Sequence, residues 1–478
     1  MSARIEIATA CLLLALGGCS LSTLERSDCT SDNQCREAFG PGHGCGDDGF
    51  CRGVAAPKRC ESTYPADLVA RVAQGERWIT FGSLFDRSLK THQAREKAIQ
   101  LALDQVNTAG GVDGTQMGMI HCTIETNEAL DKLDDEQALL TSARYLQDYG
   151  VLAIIGPSSS ADTQKVFQEL SSMLLISPAA TSPALTALDP QDVSDDKPGL
   201  LWRTVAPDSL QGLAIAQDML GGQGRTTTVS AVAVVHETGA YGDGLYLAFA
   251  KAISQDGRIA LTELPYSDES SRDQQIAAAG NGSYDEVLFI ASPTSDLHAL
   301  FDYAAANSSY DSKGLFLTDA AASSELLQSA DAGVLARVRG TRPAPLDAAT
   351  NLTYKGFIAK YSARYSDDVS QYSFTAQTYD AAWLAALGAA WAELQEGSIS
   401  SVAAAKGLRK LSQGDAIDVG EIGWNTILQH FRAGQSVDVA GASGALDYDP
   451  QTEETSSAIE IWTVDAQKTP RGLYTWTP

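Results

Sequence analysis

From Trp78 onward two hydrophobic rhythms alternate along the chain. Trp78 to Leu84 is a short β-type run. Ala94, Ala98, Ala102 and Val106 then recur at i, i+4 spacing, which predicts a helix from Lys90 to Val106 that stops at Gly110-Gly111. Met119 to Ile124 reads as a strand and Glu136 to Tyr149 as a helix. Val151 to Ile155 is continuously apolar, as a strand covered on both faces requires. A helix near Ala161 to Ser172 and a strand from Leu174 follow. The rhythm then repeats. Val229 to Val235, Ile259 to Leu264, Val287 to Ile290 and Gly314 to Leu317 predict strands, with helices at Gly244 to Ser254 and Asp296 to Ala306. Thr375 to Leu394, rich in Ala and Trp, reads as a packed helix, and Ile459 to Val464 as a closing strand. Asp189 to Gly199 and Thr341 to Ala349 read as loops or crossings between lobes. Strand–helix alternation of this kind predicts an α/β fold: two Rossmann-like lobes, each with a parallel sheet.

The first 75 residues follow neither rhythm. Arg4 precedes an apolar run from Ile7 to Leu16, too short to span a bilayer as a stable helix, and Leu16-Gly17-Gly18-Cys19 closes it. Small residues directly before a cysteine resemble a bacterial lipobox, with Cys19 the acylated first residue after cleavage; an ordinary secretory signal is the alternative. Cys29, Cys35, Cys45, Cys51 and Cys60 then crowd a Gly- and Asp-rich stretch, and Cys122 completes an even set. So little apolar content cannot build a core, so disulfides are the expected staple. A zinc site using His43 is the sharper alternative, but no CxxC pair supports it. Cys60 and Cys122 offer the natural bridge to the main body; connectivity is otherwise open. The expected division is a signal at 1–18, an anchor and Cys-rich stalk at 19–75, one lobe from 76–206 with 341–443, and another from 207–340 with 444–478.

Charge narrows the partners. Sixty acidic against 34 basic side chains, a net charge of −26, argue against nucleic acid and against direct adhesion to anionic membranes. Acyl chains on Cys19 are the only membrane attachment the sequence suggests.

Several stretches, in order, resemble the type I periplasmic binding proteins, most nearly the branched-chain amino-acid (Leu/Ile/Val) receptors of ABC importers. They are Ala102 to Gly114, Ile154 to Ser160, Ile176 to Pro183, Trp202 to Asp208, Tyr241 to Gly244, and Gly444 to Asp449, the last resembling the family's final lobe crossing. The resemblance implies two lobes joined by several hinge crossings. It also implies a small amino-acid or similar carboxylate ligand, with an ABC permease or a sensor reading closure.

The loop chemistry supports that on its own terms. Gly156 to Ser160 leaves a buried strand and opens a helix, so free N–H groups and the hydroxyls of Ser158, Ser159 and Ser160 offer a carboxylate seat. Plain serine N-capping is the structural alternative. Ser177 to Pro183 leaves the next strand at the same sheet edge, where α/β folds bind ligands. The resemblance adds Ala179 and Thr181 as ligand contacts, Tyr241 as a ring closing over the ligand, and Asp319 as an acid facing its ammonium. A loop residue and a helix cap are the alternatives for the last two. The sequence departs from the family at Ala291-Ser292-Pro293, where a ligand-facing aromatic is expected, and at the acidic stretch Asp189 to Asp196. A degenerate fold serving as an envelope scaffold is therefore the second reading. An enzyme is disfavoured: there is no GxSxG elbow, no HExxH and no Walker loop, and the six histidines are scattered. No catalytic residues, metal or cofactor are expected.

Overall fold

The computed structural model describes residues 28–189, 192–344 and 350–477. Cys19 and the apolar run before it lie outside the described residues.

The Cys-rich segment is a helix, Asp32–Phe39, beside a hairpin of β1 (His43–Cys45) and β2 (Cys51–Gly53). Disulfides Cys29–Cys45 and Cys35–Cys51 staple helix to hairpin, so these cysteines are bonded to one another and not available as zinc ligands. The segment does not stand off as a stalk. Gly42 N donates to Tyr149 O at 2.7 Å and Arg36 Nη1 to Asp148 O at 3.1 Å, so it caps the C-terminus of the Asp135–Tyr149 helix. Gly42 sits at φ 81°, and a Cβ there would lie 2.8 Å from the Tyr149 ring.

The rest of the expected stalk is built into the first lobe. β3 (Ser62–Tyr64) pairs antiparallel with β5 (Gln116–Thr123), and the Cys60–Cys122 disulfide locks the pair. Buried Arg59 donates through Nε to Asp131 at 2.9 Å and through Nη1 to Thr123 O at 2.8 Å. Leu68 and Val72 of the Leu68–Ala73 helix enter the same core. β4 (Trp78–Phe85), β6 (Ala153–Ile155), β7 (Leu174–Ser177) and β8 (Leu201–Arg203) complete a six-stranded sheet in the order β3-β5-β4-β6-β7-β8, parallel except at β3. β4, β6 and β7 are buried throughout, which is why their runs are apolar without alternation.

The second sheet holds β9 (Ala231–Glu237), β10 (Ala260–Tyr266), β11 (Glu286–Ile290), β12 (Gly314–Leu317) and β13 (Val338–Ala344). The chain then returns to the first lobe. Every residue of the Thr375–Trp391 helix is buried against that lobe's core, and β14 (Asp415–Asp418) pairs with β15 (Val437–Ala440) nearby. β16 (Ala458–Val464) and β17 (Pro470–Trp476) go back and add to the second sheet, giving β10-β9-β11-β12-β13-β16-β17 with an antiparallel edge.

Two connections differ from expectation. Thr341 to Ala344 continue β13 rather than forming a loop, because they pair with Ala458 to Ile461. Asp189 and residues 192–199 take the loop alternative rather than the crossing: Asp189 accepts from Leu201 N at 2.8 Å and Asp195 pairs with Arg409 at 2.9 Å, both on the first lobe. The chain instead crosses between Arg203 and Asp208. The last crossing also lies later than Gly444 to Asp449, since Leu446 and Tyr448 belong to the first lobe's core.

Candidate functional site

The loops after β6 and β7 lie side by side because neighbouring parallel strands end at one sheet edge. Ser177 Oγ donates to Pro157 O at 2.8 Å, and Ser182 N donates to Ser160 Oγ at 3.1 Å. The three serines divide their work. Ser159 caps the Ser160–Glu169 helix, accepting from Asp162 N at 3.1 Å, so its hydroxyl serves the structural role. Ser158 Oγ accepts from Arg95 Nη1 at 2.7 Å. Ala179 packs with Val205 and Phe374 in a small apolar cluster. Thr181 is buried, and its hydroxyl faces the Asp208 carboxylate without forming a well-aligned hydrogen bond.

The second lobe meets these loops directly. Ser182 Oγ donates to Ala240 O, and Asp208 N donates to Thr181 O at 2.8 Å. Tyr241, on the first turn of the Ala240–Ser254 helix, points its hydroxyl at Asp319 Oδ1, 2.6 Å away, with Thr318 Oγ1 at 2.8 Å. Its ring is packed in the second lobe's core. Asp319, just past β12, also accepts from Gln211 Nε2 at 2.9 Å. Burial pushes its carboxyl up to about 6, opposed by the Tyr241 bond and by the charge of Arg95. Ser158, Ser160, Ala179, Thr181, Tyr241 and Asp319 thus gather at the junction of the lobes.

Sequence reasoning missed Arg95, Asp208, Gln211 and Phe374. Asp208 and Gln211 lie three residues apart at the start of the Asp208–Met219 helix, hence on one face. Asp208 is fully buried with only the Thr181 hydroxyl beside its carboxylate and no well-formed hydrogen bond, and Gln211 Oε1 is unpartnered. Burial and the nearby Asp319 raise the Asp208 carboxyl well above its ordinary range, while the Thr181 hydroxyl and Arg203 oppose this. Arg95 is 4% exposed, and burial pulls its guanidinium down to about 9. Buried polar atoms are almost always satisfied, so this many orphans in one place mark a site for an outside partner. An open groove of about 700 Å³, lined by Pro183, Ala240, Leu247 and Lys251 among others, runs outside the buried cluster rather than through it.

The histidines do not make a catalytic centre. Ser83 Oγ lies 2.7 Å from His121 Nδ1 and Glu96 lies 3.9 Å from the same nitrogen, but all three are buried inside the first lobe. Burial drives His121 down to about 3, so it packs as a neutral ring.

Two α/β lobes joined by crossings, with a polar cluster between them, define the type I periplasmic binding-protein fold. The chain belongs to the family described as the receptor family ligand binding region, whose model matches residues 94–467. A leucine-, isoleucine-, valine-, threonine- and alanine-binding protein of Pseudomonas aeruginosa is 29% identical over 160 residues, covering 33% of this chain and 37% of that protein. The Leu/Ile/Val-binding protein of Escherichia coli K12 is 31% identical over 158 residues, covering 33% and 36%. The matched stretch therefore spans little more than a third of these curated relatives. The branched-chain amino-acid transporter substrate-binding protein of Streptococcus pneumoniae, solved with isoleucine, superposes with a TM-score of 0.62 at 18% identity, covering 84% of this chain and all of that one. These relatives are substrate-binding proteins, not enzymes.

Proposed function

We propose that this protein is an extracytoplasmic solute-binding receptor whose lobes close on a small amino-acid-like molecule, for ABC-type transport or sensing. One observation carries the reading. Thr181, Asp208 and Gln211 place buried polar atoms with few protein partners around Asp319, where loops of the two lobes meet. An ammonium suits the acid side of that cluster, and a carboxylate suits the helix start at Ser158 to Ser160 with the Thr181 hydroxyl. Relatives named for amino-acid binding support the ligand class. Three disulfides support an oxidising compartment outside the cytoplasm. No helix among the described residues is long and apolar enough to cross a membrane, and the proposed attachment is lipid on Cys19. The scaffold alternative gains nothing from the cluster, since an interaction platform has no use for orphaned groups in its interior.

Thermal denaturation with an amino-acid panel tests this. A ligand at a hundred times its Kd stabilises the native state by about 2.7 kcal/mol. Melting should rise with ligand concentration in the unaltered chain and much less in Thr181→Ala and Tyr241→Phe. No shift across the panel returns the protein to the scaffold reading.

A further inference from the structure

We propose that the ligand carries a second acidic group, held by Arg95: an acidic amino acid or an equivalent amino-dicarboxylate, rather than a branched-chain one. The inference rests on the receptor reading above and names the substrate class of that site.

Four arginines among the described residues are buried almost completely. Arg59 sits on Asp131 at 2.7 Å, Arg272 on Asp296 at 2.7 Å, and Arg203 on Glu454. Arg95 is the exception. Its direct contacts are neutral: Ser158 Oγ at 2.7 Å, Ser373 O at 3.2 Å, and the Phe374 ring, centred 5.1 Å from Cζ. The charge of Asp319 acts on it only from beyond ion-pair distance, and that carboxylate is already held by Tyr241 and Gln211. No carboxylate among the described residues lies within ion-pair distance. An unpaired buried guanidinium is strongly disfavoured, so the anion it lacks is expected from the ligand.

Because Arg95 already occupies the Ser158 hydroxyl, the α-carboxylate is left the backbone N–H groups of the Ser160–Glu169 helix start and the Thr181 side. The Thr181 hydroxyl lies on the other loop, beside Asp208. Ala179, on the same loop as Thr181, packs with Val205 and Phe374 in a small apolar cluster. Phe374 is held at φ 62°, a conformation costly for a bulky residue, and its ring faces the guanidinium. The lobe-two aromatic of branched-chain receptors is replaced by Ala291-Ser292-Pro293, so apolar closure over a leucine side chain is missing from that direction as well. A branched aliphatic side chain pressed on Arg95 would seal the charge away from water and leave it unpaired.

Calorimetric titration of the full chain with L-glutamate, L-aspartate, L-leucine and L-isoleucine tests the proposal, using Arg95→Gln and Arg95→Lys alongside. Circular dichroism melting confirms that each variant is folded. The expected result is preference for an acidic ligand. Arg95→Gln should weaken that ligand by about 100-fold, as for loss of one partner of a buried charge pair, and weaken leucine far less. Arg95→Lys should retain part of the affinity. Leucine binding as tightly as glutamate overturns the inference and leaves the receptor reading standing. So does an equal loss for both ligand types in Arg95→Gln, which would place Arg95 on the α-carboxylate. Binding of neither class overturns the receptor reading itself.

Discussion

The crossings and the cleft lie side by side and treat buried charge in opposite ways. At the crossings every deep charge has its partner inside the protein. Arg203 donates through Nε to Glu454 at 3.0 Å and through Nη1 to Ser182 O at 2.8 Å. Arg409 pairs with Glu453, which in turn accepts from Gly199 N at 2.8 Å. Asp380, on the long buried helix, accepts from Ala442 N at 2.8 Å and Ser443 N at 2.7 Å, pinning the chain as it approaches the last crossing. In the cleft, Asp208 has only the Thr181 hydroxyl beside it, Gln211 is half satisfied, and Arg95 has no anion within ion-pair distance. Burying a charge is tolerable only with compensation. The crossings find it within the chain; under the proposed receptor reading the cleft finds it in a ligand, whose binding would favour closure.

The comparison can be broken first at its paired side. Glu454→Gln leaves Arg203 buried without an anion and should destabilise the fold by about 3–5 kcal/mol in denaturant unfolding. A loss under about 1 kcal/mol, typical of exposed pairs, would mean that the crossing does not depend on this pair.

A smaller effect sharpens the account through pH. Burial raises Glu96 and Asp380 each to about 7. A carboxyl raised in this way binds its proton more tightly folded than unfolded. Its contribution is complete below the unfolded value near 4 and is lost as pH rises through 7. His92 and His121, both lowered to about 3, act in the opposite sense, but only below their ordinary value of 6.5. From pH 6.5 to 8 the raised carboxyls dominate, the cleft acids Asp208 and Asp319 acting in the same direction, and stability of the ligand-free protein should fall by about 1–2 kcal/mol or more. Asp380→Asn should flatten part of that slope in melts across the window.

Much of the fold was legible because its strands are covered on both faces and its helices carry apolar stripes. β4, β6 and β11 announce themselves as unbroken apolar runs, and the Thr375–Trp391 helix by its Ala and Trp content. What escaped is local structure set by distant partners. β3 is three half-buried residues whose place is fixed by pairing with β5 and by the Cys60–Cys122 bond. β17 is a half-exposed edge strand without a clear apolar face. The Asp208–Met219 and Glu269–Asn281 helices were passed over, the second having only four buried positions.

The site divides in the same way. Ser158, Ser160, Thr181, Tyr241 and Asp319 could be named because they stand in loops and strand ends whose order is itself a pattern. Arg95 and Asp208 stand on helices, where a charged residue normally reads as a solvated face. Only the tertiary fold turns those faces inward. The Cys-rich segment taught a related lesson: its disulfide framework was readable from composition, but its docking on the Asp135–Tyr149 helix was not, because that contact is made to the helix's last backbone carbonyls, Tyr149 O by Gly42 N and Asp148 O by the Arg36 side chain.

The central claim is that Asp319 and its neighbours hold a ligand between the lobes, and heat of binding tests it most directly. The unaltered chain, Asp319→Asn and Asp380→Asn should be titrated with whichever amino acid gives the largest melting shift. The account predicts one site per chain, affinity lowered by about 30-fold or more in Asp319→Asn, and little change in Asp380→Asn. Equal affinity in all three proteins would contradict it, and would place the ligand away from the cleft.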